Sequence, residues 1–348
     1  MVTIKDIAKE CNISVATVSK IMNGKQGASD ETREKVLKLA KEWEYTPNSL
    51  ARNLKSQCTK SIGVIAEDVT IFSIPEIIDG ITKYFEERGY HIILANLRLF
   101  KKYDKMYYNR DEICFNSARK EIKSLMSKQV EGIIYISSHE RVLKSIPENL
   151  KVPAVMAYGF TESPSIPSIV VDDKDGAYQL TNYLIKKGHR KIGVISGRED
   201  NIHARERIKG YSKALFDAKI LYDPELVCPG DWERDGGYRF TDELLERGAT
   251  AIFCMNDLMA VGVYDRVGEL GLAPGKDISI VGYDNRSISK YAIPAITTVE
   301  LPLNDIGYKA GEVLYRMVSE GSGYVNKEIY RIPCKLIERE SVVEIKAE

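Results

Sequence analysis

The chain has 348 residues, 44% hydrophobic and 29% charged, with 50 basic and 50 acidic side chains. This length suits two or three globular domains, no run approaches the roughly 18 apolar residues that a membrane span needs, and "MVTIKDIAKECNIS" lacks the apolar core of an export leader. The 6 cysteines are scattered with no C-x-x-C pair, which argues against a disulfide framework or a zinc site and for a reducing cytoplasm.

In chain order, Thr3 precedes "IKDIAKEC" as a helix cap, "NIS" is a turn, and Ser14 caps "VATVSKIMNG". Ser29 caps a third helix, "DETREKVLKLAKEWEY", with an acidic first turn. Three short helices, the first two joined by a tight turn, read as a helix-turn-helix module over residues 1–46. The second helix has a narrow apolar seam (Val15, Val18, Met22) among short polar groups and one cation. Residues 1–60 also carry 11 Lys and Arg against 7 Asp and Glu, so a basic head sits on a mildly acidic body. Such a head fits an anionic, grooved partner. Ser14, Val15, Ala16, Thr17 and Lys20 are the candidates to approach base edges: Ala and Thr methyls suit a thymine methyl, and Lys20 reaches guanine or phosphate. Thr3, Lys5 and Asn23 are better placed to position the backbone. Residues 47–60, with Pro47, Arg52 and Lys55, read as a linker that becomes helical only when something holds it.

From Ser61 the pattern changes to alternating strands and helices, the signature of doubly wound parallel sheets. "SIGVIAED…IIDGITKYFEERGY" and "KIGVISGRED…RIKGYSKALFDAKI" run strand, loop, then a helix with Gly in its middle, twice. Two similar α/β lobes leave a cleft faced by strand C-terminal ends. The lobes are expected over 61–160 plus 290–320, and over 161–289 plus 321–348. Catalysis finds little support. The 4 histidines show no metal-ligand pairing, and no P-loop, G-x-G-x-x-G or G-x-S-x-G occurs. No cofactor is expected. His189 is expected at a helix C-terminus as a favourable cation, and His203 falls in the cleft region.

These segments, taken in order, closely resemble the LacI/GalR family of bacterial transcriptional repressors. "TIKDIAKECNISVATVSKIMNG" is similar to the family's DNA-reading module and "YTPNSLARNLKS" to its hinge helix. "KKGHRKIGVISG", "ARERIKGY", "AIFCMNDLMAVGVY", "DISIVGYDN" and "AITTVELP" resemble landmarks of its core, which is like a periplasmic sugar-binding protein. The resemblance implies a homodimer on palindromic operator DNA, with paired hinge helices in the minor groove. There Ala51 and Arg52 contact DNA and Leu54 wedges a base step. It also implies a sugar or sugar-derived effector between the lobes, met by Asp68, Phe72, Ile74, Arg205, Arg207, Trp232, Asn256 and Asp284. Three segments depart from the family pattern near the ligand mouth: "VTIFSIPEI", "VMAYG", and the long aromatic "LFKKYDKMYYNRDEICF". The rival readings are a soluble sugar-binding protein and a sugar-pathway enzyme on the same core. The basic head argues against the first, and the lack of a convergent acid, base or nucleophile set argues against the second.

Overall fold

A computed structural model of the chain describes residues 2–22, 24, 26–45, 59–144, 146–147, 150–320 and 328–345. It divides into two units, Met1–Thr59 and Lys60–Glu348.

The first unit is three helices: α1 (Ile4–Glu10), α2 (Val15–Met22) and α3 (Asp30–Glu42). Each start is fixed by a short polar side chain. Asp6 accepts from the Thr3 N–H and hydroxyl (2.8 and 2.7 Å), while Ser14 Oγ accepts from Thr17 N–H (3.1 Å) and Ser29 Oγ from Thr32 N–H (3.3 Å). Ile7, Ala8, Val18, Ile21, Val36 and Ala40 form the core, with Met22 and Trp43 packed against it. The expected seam on α2 is therefore off by part of a turn. Val18 and Ile21 are buried, but Val15 is 41% exposed.

The second unit is two α/β lobes. One sheet has six strands: β1 (Ser61–Ala66), β2 (His91–Asn96), β3 (Gly132–Ile136), β5 (Ala154–Ala157), β7 (Ser168–Val171) and β13 (Ile329–Ile332). Their order is β13-β7-β5-β3-β1-β2, and every pairing is parallel. The pleat sends alternate residues to opposite faces. Ile62, Val64, Ile134 and Ile136 join a core with helices α4 (Ile74–Glu86) and α12 (Leu303–Glu320); Ile65, Ile133 and Tyr135 pack with α5 (Leu99–Tyr103) and α6 (Asp111–Ser127). Two-residue strands β4 (Val142–Leu143) and β6 (Phe160–Thr161) pair beside this sheet.

The other sheet is also parallel, in the order β11-β10-β8-β9: β8 (Ile192–Ser196), β9 (Val227–Pro229), β10 (Ala251–Cys254) and β11 (Ser279–Val281). Helices α7 (Asp173–Lys186), α8 (Ile202–Asp217), α9 (Arg234–Glu246) and α10 (Asp257–Glu269) accompany it. After the short α11 (Ser287–Tyr291), β12 (Thr298–Glu300) pairs antiparallel with β14 (Lys335–Ile337). The expected lobe boundaries need correction here. The sequence pattern places Ser168–Val171 and Ile329–Ile332 in the second lobe, yet both are strands of the first sheet. Their apolar runs specify a buried strand but carry no mark of which sheet edge they join.

Helix pairs cross at glycines. A Cβ on Gly80 of α4 would lie 2.0 Å from the Asn304 carbonyl oxygen, and one on Gly307 of α12 would lie 2.0 Å from that of Ile77. Gly210 of α8 meets the Lys174 carbonyl oxygen at 2.1 Å in the same way, and Gly237 and Gly262 make the α9–α10 contact at 1.9 Å each. The glycine noticed in both repeats of the sequence is thus the point where two helix backbones touch.

Candidate functional site

On α2, Ser14, Val15, Ala16 and Lys20 are exposed, and Thr17 is half-buried. The Ser14 and Thr17 hydroxyls lie 2.8 Å apart and hold each other, so the surface offered by α2 is the methyls of Val15 and Ala16 with the Lys20 ammonium. Thr3 and Lys5 are exposed as well, although the Thr3 hydroxyl is committed to Asp6. Asn23, Ala51, Arg52 and Leu54, with the expected hinge helix, lie outside the described residues.

In the core, a cavity of about 620 Å³ opens between the lobes. The first lobe contributes Thr70–Phe72 after β1, Ser138–Arg141 after β3, Tyr158 after β5, and Phe100 and Tyr108. The second contributes Arg198, Asp200 and Asn201 after β8, His203 and Arg207 from α8, Asp231–Glu233 after β9, Asn256 and Leu258 after β10, and Asp284 and Arg286 after β11. Strand C-terminal ends dominate because a parallel strand feeds its helix there and leaves a crevice between neighbouring loops.

Five of the eight expected ligand residues are on this wall: Phe72, Arg207, Trp232, Asn256 and Asp284. The other three need correction. Asp68 is buried beneath the wall, where it accepts from the Thr70 N–H and hydroxyl (3.0 and 2.7 Å) and from Lys101 N–H (3.0 Å). Ile74 is the fully buried first residue of α4. Arg205 sits on the exposed face of α8 and reaches the Asp200 carbonyl (3.4 Å). Its helical neighbour two residues on, Arg207, turns inward, so the two belong to opposite faces. Asn256 has mainly a local task. Its amide oxygen caps α10 through Met259 N–H (2.8 Å), and its amide nitrogen donates to the Trp232 carbonyl (2.8 Å).

Arg207 organises the floor. Its Nε donates to Asp173 Oδ1 (2.7 Å), Nη2 lies 3.5 Å from Asp284 Oδ1, Nη1 donates to the Met255 carbonyl, and its guanidinium carbon is 3.6 Å from the Tyr283 ring centroid. His203 Nδ1 donates to the second oxygen of Asp173 (2.6 Å), and its Nε2 accepts the Glu140 N–H (3.1 Å), which joins the two lobes. Burial opposes the charge on Asp173, but Arg207 and His203 outweigh it and pull its pKa down to about 2. Burial dominates at three other carboxyls: Glu140 and Asp257 are each pushed up to about 7 and Asp284 to about 6. Glu140, Asp173 and His203 also come close enough to present ligand atoms to a metal. The fit is poor, since both His203 nitrogens and both Asp173 oxygens already have partners and the Arg207 cation adjoins them.

Sequence reasoning missed Asp173, Glu140, Arg141 and Tyr158, whose roles depend on contacts across the fold. It also read His189 as a favourable cation. That ring is fully buried between Thr250, Ser279 and the Val343 carbonyl, and burial lowers its pKa, so it is a neutral structural bridge. Backbone strain marks the same wall: Tyr158, Trp232 and Asp284 have φ of 57°, 72° and 98°. Gly197 makes the Trp232 position possible, because a Cβ there would lie 1.8 Å from the indole.

The raised carboxyls predict an unusual pH response. A carboxyl with a higher pKa in the folded chain contributes fully below its unfolded value, and that contribution is lost as pH rises through the folded value. His139 and His189, held below their ordinary values by burial, oppose folding only when pH falls below about 6.5. Stability should therefore fall by about 1–2 kcal/mol between pH 6.5 and 8 as Glu140 and Asp257 ionise. Urea unfolding across that range checks it, and Asp257→Asn should remove about half of the loss. A flat profile would disprove the assignment.

Comparison with known proteins agrees with both units. Residues 3–48 match the family model for bacterial regulatory proteins, lacI family, and residues 181–342 match that for a periplasmic binding protein-like domain. The HTH-type transcriptional repressor PurR of Vibrio atlanticus is 33% identical over 98% of this chain and 99% of its own length. That of Vibrio vulnificus is 32% identical over 99% and 100%. Among solved structures, the lac repressor dimer bound to operator and the anti-inducer ONPF is 27% identical with a TM-score of 0.79, covering 98% of this chain and 99% of its own. The transcriptional regulator CelR in complex with cellobiose is 26% identical with a TM-score of 0.64, covering 98% and 100%.

Proposed function

Because this chain belongs to the LacI family of bacterial regulatory proteins, we propose that it is a cytoplasmic homodimeric repressor whose grip on a palindromic operator is set by a small effector between the core lobes. It is a DNA-binding transcriptional repressor and not an enzyme. No helix among the described residues is long and apolar enough to cross a membrane.

The observation that carries the DNA reading is α2, a helix held from behind by Val18 and Ile21 that presents Val15, Ala16 and Lys20 outward. Small methyls let such a helix sink close to base edges, and the lysine supplies a charge-assisted contact. Asn23 and the hinge residues Ala51, Arg52 and Leu54 remain part of this proposal, the last as a minor-groove wedge. Lys20→Ala is expected to weaken specific binding by roughly 1–3 kcal/mol. Gel-shift titration on selected operator and random duplex checks this. An equal loss on both would reduce Lys20 to a phosphate contact, and no salt-dependent shift of any palindrome would remove the DNA reading.

For the effector we favour a polyhydroxylated, sugar-like molecule. Asp284 and Arg207 offer paired hydrogen bonding beside the Trp232 indole face. Hydroxyl groups can satisfy a carboxylate and a guanidinium at once, and the apolar face of a sugar ring rests on an indole. A purine base is the second reading. Phe72, Tyr108 and Trp232 on the wall suit a planar heteroaromatic ring, and the relatives over the whole chain are repressors named PurR. Thermal-shift screening of sugars against purine bases separates the two, since a ligand of the native state raises its melting temperature.

A further inference from the structure

Residues 99–115, which depart from the family pattern, form α5, a 3-10 helix (Asp104–Asn109) and the start of α6. Two of their aromatic rings, Phe100 and Tyr108, stand on the first-lobe wall of the cleft. Tyr108 meets the His139 ring edge to face at 4.3 Å and the Tyr107 ring at 4.6 Å, so its plane is fixed from two sides. Left-handed backbone brackets α5, with φ of 56° at Arg98 and 51° at Asp104. Such values are uncommon without glycine, so contacts made elsewhere impose this path.

Those contacts begin at two adjacent acids that follow β1. The Glu67 carbonyl accepts the Leu99 N–H (2.9 Å) and Asp68 Oδ2 the Lys101 N–H (3.0 Å), which holds α5. The Glu67 carboxylate is fully buried. Its Oε2 accepts the Ser138 N–H and hydroxyl (2.8 and 2.6 Å), and its Oε1 the Tyr135 hydroxyl and Arg141 (2.9 and 2.6 Å). With its own proton directed at Glu67, Ser138 Oγ accepts from the Tyr107 hydroxyl (2.7 Å). Arg141 Nη2 also reaches Cys114 Sγ (3.3 Å), and its guanidinium carbon lies 5.6 Å from the Tyr107 ring centroid. Glu67, Asp68 and Arg141 therefore fix the segment at its start, its middle and its far end. A buried ion pair adds little net stability, because desolvation offsets the attraction, so the effect of Glu67 and Arg141 is on geometry.

We propose that residues 99–115 are the specificity wall of the cleft: Phe100 and Tyr108 contact the bound effector, and Glu67 and Arg141 are positioning residues that set where those rings stand. Trp232 lines the cleft from the other lobe, so a ring-bearing effector is held between aromatic groups of both lobes. The inference rests on the reading of the cleft as the effector site and applies alike to a sugar ring and a purine. It also gives Asp68 a task, since the carboxylate expected against the ligand holds the wall instead.

The test is calorimetry on the full chain with the tightest member of a thermal-shift panel of mono- and disaccharides, purine bases and nucleosides. Tyr108→Ala and Phe100→Ala should each weaken that probe at least about tenfold, the loss expected when a ring leaves a stacked contact. Tyr108→Phe keeps the ring and should stay within about threefold of the wild type. Tyr108→Leu keeps volume without a ring and replaces Tyr108→Ala if that variant melts early. Glu67→Gln should shrink the affinity ratio between the tightest and second-tightest probes, whereas a merely structural Glu67 would lower the melting temperature and leave that ratio unchanged. Variants without the Phe100 or Tyr108 ring that bind the probe like the wild type would overturn the wall and leave the effector site standing. An unchanged ratio in Glu67→Gln would overturn the positioning role. If no panel member bound the wild type, the sugar and purine readings would fall together with the wall.

Discussion

Arg207→Ala is expected to destabilise the core by about 3–5 kcal/mol and to abolish effector binding. The side chain is 2% exposed, and its guanidinium serves Asp173, Asp284 and the Met255 carbonyl while stacking on Tyr283. Its removal takes away the guanidinium that both buried carboxylates share. Burial already pushes Asp284 up to about 6, so without Arg207 it takes up a proton, and Asp173 is left to His203 alone. Arg207→Lys should recover only part of the loss, since one ammonium cannot reproduce a planar fork that meets three acceptors. Urea unfolding of the two variants measures the stability term, and calorimetry with the effector measures the other. A loss below about 1 kcal/mol for Arg207→Ala would show that the network does not hold the lobe together.

Gly80→Val should be nearly as damaging, for a reason unrelated to charge. A Cβ at Gly80 meets a backbone oxygen at 2.0 Å, and the reciprocal position on the facing helix, Gly307, is equally tight. Backbone cannot swing aside as a side-chain tip can, so α4 and α12 must separate and lose the packing of Ile77, Ile81 and Leu314 between them. Overpacking of this kind costs about 1–3 kcal/mol and more where no rotamer relieves it. Gly268 supplies the control. It lies in α10 with nothing within 4 Å of its would-be Cβ, so Gly268→Ala should be neutral or stabilising by up to about 1 kcal/mol. Melting temperatures of the two variants decide it. Equal behaviour would remove the close-crossing argument.

Much of this was legible in the sequence because local chemistry specifies it. Ser14 and Ser29 announce their helices by the side-chain oxygens that cap them and Thr3 by its pairing with Asp6, and "SIGVIA" and "KIGVIS" are apolar runs that only a doubly covered strand tolerates. Trp232, Arg207 and Asp284, which the family resemblance implies, line the cleft; for Asp284 the end of a strand also points there. What escaped depends on distance along the chain. Asp173 looks like one acid of "DDKDG", and only the fold brings it to Arg207, 34 residues later. Helical phase explains the Arg205 error, since two residues rotate the side chain by about 200°. Sheet membership of β7 and β13 was hidden for the same reason as any parallel pairing. The partner lies across a crossover, and the strand sequence does not name it.

The place of β13 at the edge of the first sheet has a consequence for synthesis. The first strands of that sheet are made about 270 residues before Ile329–Ile332, yet β7 has no outer neighbour until β13 arrives. On a ribosome moving at about 5–20 residues per second, the edge of β7 stays open for about 8–30 seconds. The four strands of the second sheet, between Ile192 and Val281, are all made in that interval, although Ser341, Val343 and Ile345 bond to that lobe only later. The sheet that begins first is therefore the last to receive a strand, with an exposed row of backbone donors and acceptors as its waiting state. A chain stalled before residue 329 would carry a complete second sheet beside a first sheet ready to pair with a neighbour on the same message.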